Sequence, residues 1–330
     1  MGRLPGIAVV AVVALAALRC QKAPDRQTAP PPTPPQRASS PLEQARALGE
    51  AGRLDAALDK LAGAGSDADA LAYAGKLWAR KAETAPLPTP PPPPSPRPRR
   101  GGPPPVPEFK PEELRAIESF ERALASQPGH VQASLGLADL LAPHSLRRYA
   151  SDVGKGSRRG KRRPAAEPPA EGEVDYRPER VIQTYRSAAQ GDPTAREPVE
   201  RLVDFSLRMG RLDEAEEGLQ ELLRREKESA DPLIRYGDFL LDLRKDSLGA
   251  IEQYRQALIW RPDDEATRAK IADIYISQAI QLYGKNQYGV AQARLDDAQK
   301  YVTDPRSPQG LKIQDYRSKL QAIRRPAPAK

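Results

Sequence analysis

The stretch Gly249-Ala250-Ile251-Glu252-Gln253-Tyr254-Arg255-Gln256-Ala257-Leu258-Ile259-Trp260-Arg261-Pro262 decides how the rest of the chain is read. Ala250, Tyr254 and Ala257 follow one another at steps of four and three, and Pro262 comes five residues later. Steps of four and three place the first three residues on one face of a helix. Proline lacks the amide donor and crowds the preceding turn, so Pro262 marks where that helix stops.

The order returns along the chain. Ala116, Phe120, Ala123 and Pro128 keep the same steps, as do Val181, Tyr185, Ala188 and Pro193. Ala215, Leu219 and Leu222 keep the four and the three, with Lys227 in place of the proline and Pro232 later. Ala291, Leu295 and Ala298 form a weaker copy with Pro305 displaced. Ahead of these helices lie first helices marked by a large-small pair and a residue three on: Leu137-Ala138 with Leu141, Leu202-Val203 with Ser206, Tyr236-Gly237 with Leu240, Ile271-Ala272 with Tyr275. Val203 and Gly237 are 34 residues apart, Gly237 and Ala272 are 35 apart. The turn Gly52-Arg53-Leu54-Asp55 comes back as Gly210-Arg211-Leu212-Asp213. In the first copy the glycine can take the left-handed conformation that closes a helix, and in both the aspartate is expected to cap the next one. Glu216 would complete a capping box with Asp213.

A helix-turn-helix unit with this period and this small-large order resembles the tetratricopeptide repeat. The resemblance covers roughly residues 41–303 outside two insertions. It implies an all-α, right-handed superhelical solenoid of six repeats, the first, second and sixth degenerate, closed by a capping helix. Small residues such as Gly237 and Ala250 let paired helices approach, while Tyr254 and Phe120 fill the space between repeats. The competing reading, an unrelated helical bundle, does not produce a sustained 34-residue period.

The chain has 330 residues with 39% hydrophobic and 5% aromatic content and 36 prolines, which is thin for one large core and suits stacked helices punctuated by proline. Its organisation reads as a leader, 1–20; a proline-rich tether, 21–41; a repeat array, 42–325; and a tail, 326–330. In the leader, Arg3 precedes an apolar run from Leu4 to Leu18, then Arg19-Cys20. This is the pattern of an export signal, shorter than the ~20 residues a membrane-spanning helix needs. Cys20 resembles the lipidated cysteine of bacterial lipoproteins, which implies an outer-membrane lipoprotein facing the periplasm, although Arg19 stands where that family has a small residue. Cleavage after Ala14-Leu15-Ala16, giving a soluble periplasmic or secreted protein, is a second reading, and a cytoplasmic protein with an odd leader a third. Two insertions interrupt the array, each at the turn inside a repeat. Residues 86–107 hold 13 prolines in 22 and read as polyproline II. Residues 143–176 read as a disordered basic insertion. Their shared placement suggests a functional edge; tolerated growth at exposed turns accounts for it as well.

The formal charge of +8 belongs mostly to that second insertion. Arg147, Arg148, Lys155, Arg158, Arg159, Lys161, Arg162 and Arg163 are accompanied there by a single acid, Asp152, leaving the remainder of the chain near neutral. This cluster could attract a polyanion such as an anionic lipid, an envelope polymer or nucleic acid. With one aromatic, Tyr149, it does not suit base stacking, and nucleic acid is the least expected of the three. One cysteine and two histidines, His130 and His144, give no disulfide and no metal-ligand cluster. No nucleophile-base arrangement is present either, so no enzyme activity, metal or cofactor is expected.

Four repeats carry aspartate just after the small residue of the first helix: Asp139, Asp204, Asp238 and Asp273. By the resemblance, these side chains face the concave groove, with Glu200, Leu241 and Ile276 nearby. Such a groove is expected to favour a basic or amphipathic protein segment. Aspartates that simply solvate each first helix are the plainer alternative. Ser307 and Pro308 open a last amphipathic helix, with Ile313, Tyr316, Leu320 and Ile323 on its apolar face.

Overall fold

Every position of the repeated small-large-small code lies inside a helix and out of water. Ala116, Phe120 and Ala123; Val181, Tyr185 and Ala188; Ala215, Leu219 and Leu222; Ala250, Tyr254 and Ala257; and Ala291, Leu295 and Ala298 are all at most 3% exposed. The computed structural model describes residues 40–63, 65–86, 109–156 and 174–324. The leader, most of the tether, the Pro-rich insertion and the tail fall outside the described residues.

Among the described residues there are thirteen α-helices and no strand: α1 (Pro41–Glu50), α2 (Leu54–Leu61), α3 (Ala68–Thr84), α4 (Pro111–Ser126), α5 (Val131–Gly156), α6 (Pro178–Gly191), α7 (Glu197–Arg208), α8 (Leu212–Arg225), α9 (Ala230–Phe239), α10 (Ser247–Trp260), α11 (Glu265–Gly284), α12 (Tyr288–Gln299) and α13 (Pro308–Arg324). Consecutive helices pair as α1/α2 through α11/α12, giving six repeats, and first helices also touch across one step, α1 to α3, α3 to α5 and α5 to α7. α13 packs on α11 and α12 as the capping helix. Contacts confined to near neighbours in sequence are what a solenoid requires.

The twin turns have one geometry. Gly52 and Gly210 are left-handed, with φ of 76° and 68°. The following amide reaches back five residues in both, Arg53 to the Leu48 carbonyl and Arg211 to the Ser206 carbonyl, each at 2.9 Å. The expected aspartate caps are absent. Helices α2 and α8 begin two residues early, at Leu54 and Leu212, so Asp55 and Asp213 stand inside the first turn and no side chain caps either helix. Asp55 pairs instead with Lys81 at 2.5 Å, and Glu216 with Arg244 at 2.6 Å.

Large and small residues match across helices. A methyl group added at Gly75 or Gly136 would stand 2.7 or 2.3 Å from the Phe120 ring, so those glycines of α3 and α5 make room for it. At Gly237 it would meet the Tyr254 ring at 2.6 Å. The 35-residue period of repeat 5 also has a structural cause. The interval from Val203 to Ala215 is twelve, and that from Gly237 to Ala250 is thirteen. The extra residue is absorbed as a π-helical turn over Leu240–Arg244, ended by a left-handed Lys245 with φ 59°. In repeat 6 the interval from Ala272 to Ala291 is nineteen. Seven added residues make about two helical turns, so α11 lengthens without changing which face is buried.

Two boundaries differ from the sequence reading. The expected insertion from 143 is helical as far as Gly156, because α5 runs through Pro143. Burial of the next two side chains holds it there: His144 and Ser145 are 7% and 2% exposed, and Phe109 stacks on the His144 ring at 3.9 Å between centroids. Tyr176, 6% exposed, meets Phe109 edge-on, so the residues that leave and re-enter both insertions form one cluster. Lys110 strengthens it by donating to the Ala82 and Ala85 carbonyls at 2.6 and 2.7 Å. In α13, Ser307 caps as expected, accepting from the Gly310 amide at 3.1 Å. Ile313 and Leu320 are buried while Ile323 is 44% exposed, so the apolar face ends one turn sooner than the spacing implied.

Candidate functional site

The four aspartates of the first helices each meet a cation of the next first helix or, for the last of them, of the capping helix. Asp139 on α5 lies 4.0 Å from Arg201 on α7, and Asp204 on α7 lies 2.5 Å from Arg235 on α9. Asp238 on α9 lies 2.5 Å from Lys270 on α11, and Asp273 on α11 lies 3.7 Å from Lys312 on α13. Glu200 accepts from Arg196 at 2.7 Å and shares Arg235 with Asp204, at 3.6 Å. The expected row of bare carboxylates is therefore a ladder of alternating charge linking one repeat to the next. Three of these cations sit three residues before an aspartate, Arg201 before Asp204, Arg235 before Asp238 and Lys270 before Asp273. That spacing was available in the sequence; its cross-repeat pairing needed the superhelix.

Two aspartates also bind the code's large residue. Tyr185 donates its hydroxyl to Asp139 and Tyr254 donates its hydroxyl to Asp238, both at 2.7 Å. Burial, and then the adjoining carboxylate, push both phenols up. Desolvation raises Asp139 above the ordinary carboxylate range in spite of the Tyr185 hydrogen bond and Arg201.

The ladder opens into a cleft of about 490 Å³ at repeats 5 and 6. Asp238, Leu241 and Asp242 form one wall with Ser247 and Tyr254; Lys270, Asp273, Ile274, Ser277, Gln278 and Gln281 form the other. Leu241 and Asp242 come from the π turn. Asp242 is exposed and has no cation partner among the described residues, unlike Asp238 and Asp273. Leu241 lines the cleft. Ile276 does not: it is 2% exposed and belongs to the core of the last repeats, while its neighbours Ser277 and Gln278 present the surface.

The basic cluster divides. Arg147 and Arg148 stand in α5, where Arg148 donates to the Tyr176 hydroxyl at 2.8 Å and lies over that ring, and Arg147 contacts the His144 ring at 3.3 Å. Lys155 falls in the last turn of the same helix. Arg158, Arg159, Lys161, Arg162 and Arg163, with Cys20, lie outside the described residues. His130 is 7% exposed; its Nδ1 accepts the Ala133 amide at 3.1 Å, and its Nε2 faces Asp69 at 3.1 Å. Among the described residues no His, Cys, Asp and Glu group could hold a metal ion, and no helix is long and apolar enough to cross a membrane.

No protein-family model and no curated protein matches the chain. Solved structures similar to it include a tetratricopeptide repeat protein from Parabacteroides merdae, 11% identical over 86% of this chain and 85% of that one, with a TM-score of 0.39. TTC0263, a thermophilic TPR protein of Thermus thermophilus, is 18% identical over 71% and 96%, with a TM-score of 0.35. YrrB, a TPR protein with an unusual peptide-binding site, is 15% identical over 69% and 88%, with a TM-score of 0.39. On its own register of buried code positions, the chain resembles the tetratricopeptide solenoid.

Proposed function

We propose that the chain is a non-enzymatic scaffold that holds a segment of a partner protein against the first helices of repeats 5 and 6. The observation that carries this reading is the wall made by the π turn. Leu241 offers an apolar contact and Asp242 a carboxylate without a cation partner, in a cleft whose Asp238 and Asp273 are already paired. A segment with a basic residue next to an apolar one complements both, which keeps the partner in the basic or amphipathic class. Ser247, Ser277, Gln278 and Gln281 supply donors and acceptors for a peptide backbone. The leader extends the proposal to location: export, tethering through Cys20 to the bacterial envelope, and help in assembling a multiprotein complex there. Soluble export is the alternative.

The test is affinity capture with the chain from Gln21 onward, followed by binding of the captured partner to variants. Leu241→Asp with Asp242→Lys is expected to abolish binding, and replacement of residues 157–163 by a neutral linker to leave it unchanged. The reverse result would replace the groove by polyanion binding through the basic segment. Fatty-acid labelling of the full chain decides the tether: label in the wild type and none in Cys20→Ser supports it, and an unlabelled wild type ends it.

A further inference from the structure

The two tryptophans differ in their surroundings. Trp78 has two cations over its ring, Arg115 at 4.7 Å and Lys81 at 5.2 Å from the centroid. Trp260, at the end of α10, is 46% exposed with no ring or cation contact among the described residues, and Ile259 beside it is 73% exposed. They border a second cleft of about 390 Å³, away from the ladder, lined also by Leu223, Leu233, Glu226, Lys227, Gln253 and Gln256. Its floor is apolar, Leu233 being 8% exposed and packed with Ala230, Ala257 and Leu223. Around that floor the Trp260 indole N–H, the Gln253 amide and the Lys227 ammonium find no acceptor among the described residues. The cleft thus joins an aromatic face to spare donors.

A ligand that matches is apolar, flat-sided and rich in carbonyl acceptors, with no N–H of its own to satisfy. Consecutive prolines have this chemistry: each ring packs on an aromatic face, and each residue offers a carbonyl and no donor. The sequence contains such a ligand, Pro88-Thr89-Pro90-Pro91-Pro92-Pro93-Pro94-Ser95-Pro96-Arg97-Pro98-Arg99-Arg100. Its arginines have counterparts as well. Glu252, which accepts from the cleft residue Gln256 at 3.2 Å, and Glu228, next to Lys227, have no cation partner among the described residues. We infer that the Trp260 cleft is a docking site for the chain's own proline-rich, arginine-ended segment.

Trp260 reports on the cleft once Trp78→Phe makes it the sole tryptophan. Two full-length proteins are compared in that background, one intact and one with residues 87–108 replaced by a Gly-Ser linker of equal length. The linker protein is expected to emit further to the red, because the indole has lost its cover, and a synthetic peptide of residues 88–100 to restore the blue emission saturably. A peptide with its prolines changed to alanine should bind at least tenfold more weakly, and Glu228→Lys with Glu252→Lys should weaken the authentic peptide several-fold at low salt. With labelled peptide, Trp260→Ala should show no binding while its circular dichroism and melting stay those of the parent; Trp260→Phe should retain part of the affinity. Identical emission from the two proteins together with no response to peptide overturns the inference. So does equal binding of the alanine peptide, which would mean charge attraction alone, or undiminished binding to Trp260→Ala. An emission shift that follows protein concentration and ignores peptide would assign the cleft to a second copy's folded surface, and also overturns it.

Discussion

Repeats 4 and 5 are built on one packing code and differ by one residue. In repeat 4, α7 and α8 join through the regular Gly210 turn. Its outer charges are paired across helices, Arg186 with Glu217 at 2.5 Å, Arg244 with Asp213 at 2.6 Å and Arg211 with Glu179, and Arg211 also pairs with Glu214 in the first turn of α8. In repeat 5, the added residue forces the π turn, sets Leu241 and Asp242 on the wall of the groove, and accompanies a second helix whose outer side shows Leu248, Ile259 and Trp260 at 71%, 73% and 46% exposure. The buried code is equally well kept in both. Core packing tolerates one register of small and large residues, whereas the surface of a repeat can change without disturbing it. The groove wall changes where the period slips, while the buried code does not.

The comparison can be broken first at the core. Tyr254→Ala, which removes a fully buried ring and its bond to Asp238, should cost about 3–5 kcal/mol, and Leu219→Ala at the matching position of repeat 4 about 2–5 kcal/mol, read from urea midpoints. A shift of either under 1 kcal/mol would remove that side chain from the core. Next comes the large-small match. Gly237 faces Tyr254, whereas the same place in repeat 4 holds Val203, whose methyl stands 2.6 Å from where a side chain on Gly218 would begin. Gly237→Val should therefore destabilise by about 1–3 kcal/mol through overpacking. Combining it with Tyr254→Leu, which copies repeat 4, should recover a coupling of about 0.5–3 kcal/mol in a double-mutant cycle; strict additivity would contradict the match.

A smaller effect belongs to the cap just after repeat 5. Asp264 accepts from the Ala266 and Thr267 amides and from the Thr267 hydroxyl. Asp264→Ala should cost about 0.5–2 kcal/mol. Because the Thr267 hydroxyl, then the backbone amides and Arg261, hold the folded-state carboxyl below its ordinary 3.8, its contribution is present above that value and lost as pH falls through the depressed one. Melting of wild type and variant should accordingly converge in acid; a gap that widened as pH fell would reverse the sign. The smallest change is to the ladder: Arg235→Ala removes a half-exposed partner of Asp204 and Glu200 and should cost about 0.2–1 kcal/mol, less at high salt. An unchanged cost at ~1 M salt, where screening is nearly complete, would assign the effect to packing of the arginine stem.

The repeat code was legible because it depends on steps along one helix, which sequence records directly. Ala250, Tyr254 and Ala257 are buried where their spacing placed them, and the anomalous interval of 35 between Gly237 and Ala272 was visible before the π turn that explains it. Other features depend on two helices at once. The pairing of Asp238 with Lys270 crosses 32 residues, so the sequence showed four carboxylates and not their counter-charges. The second insertion was expected to start at Pro143, yet α5 runs through it, with Phe109 stacked on His144 just beyond. Ile276 stood near the groove by the resemblance, but it is 2% exposed and packs in the core of the last repeats.

The central claim is that the slipped register of repeat 5 makes the binding wall. Deleting Lys245, the left-handed residue that ends the π turn, should return the interval between Gly237 and Ala250 to the twelve of repeat 4 and draw Leu241 and Asp242 off the cleft. The direct measurement is the affinity of the captured partner for this deletion beside wild type, with melting recorded for both. The account predicts that the deletion folds with a melting temperature at or above that of wild type and binds the partner at least tenfold more weakly. A well-folded deletion that binds as wild type does would contradict it.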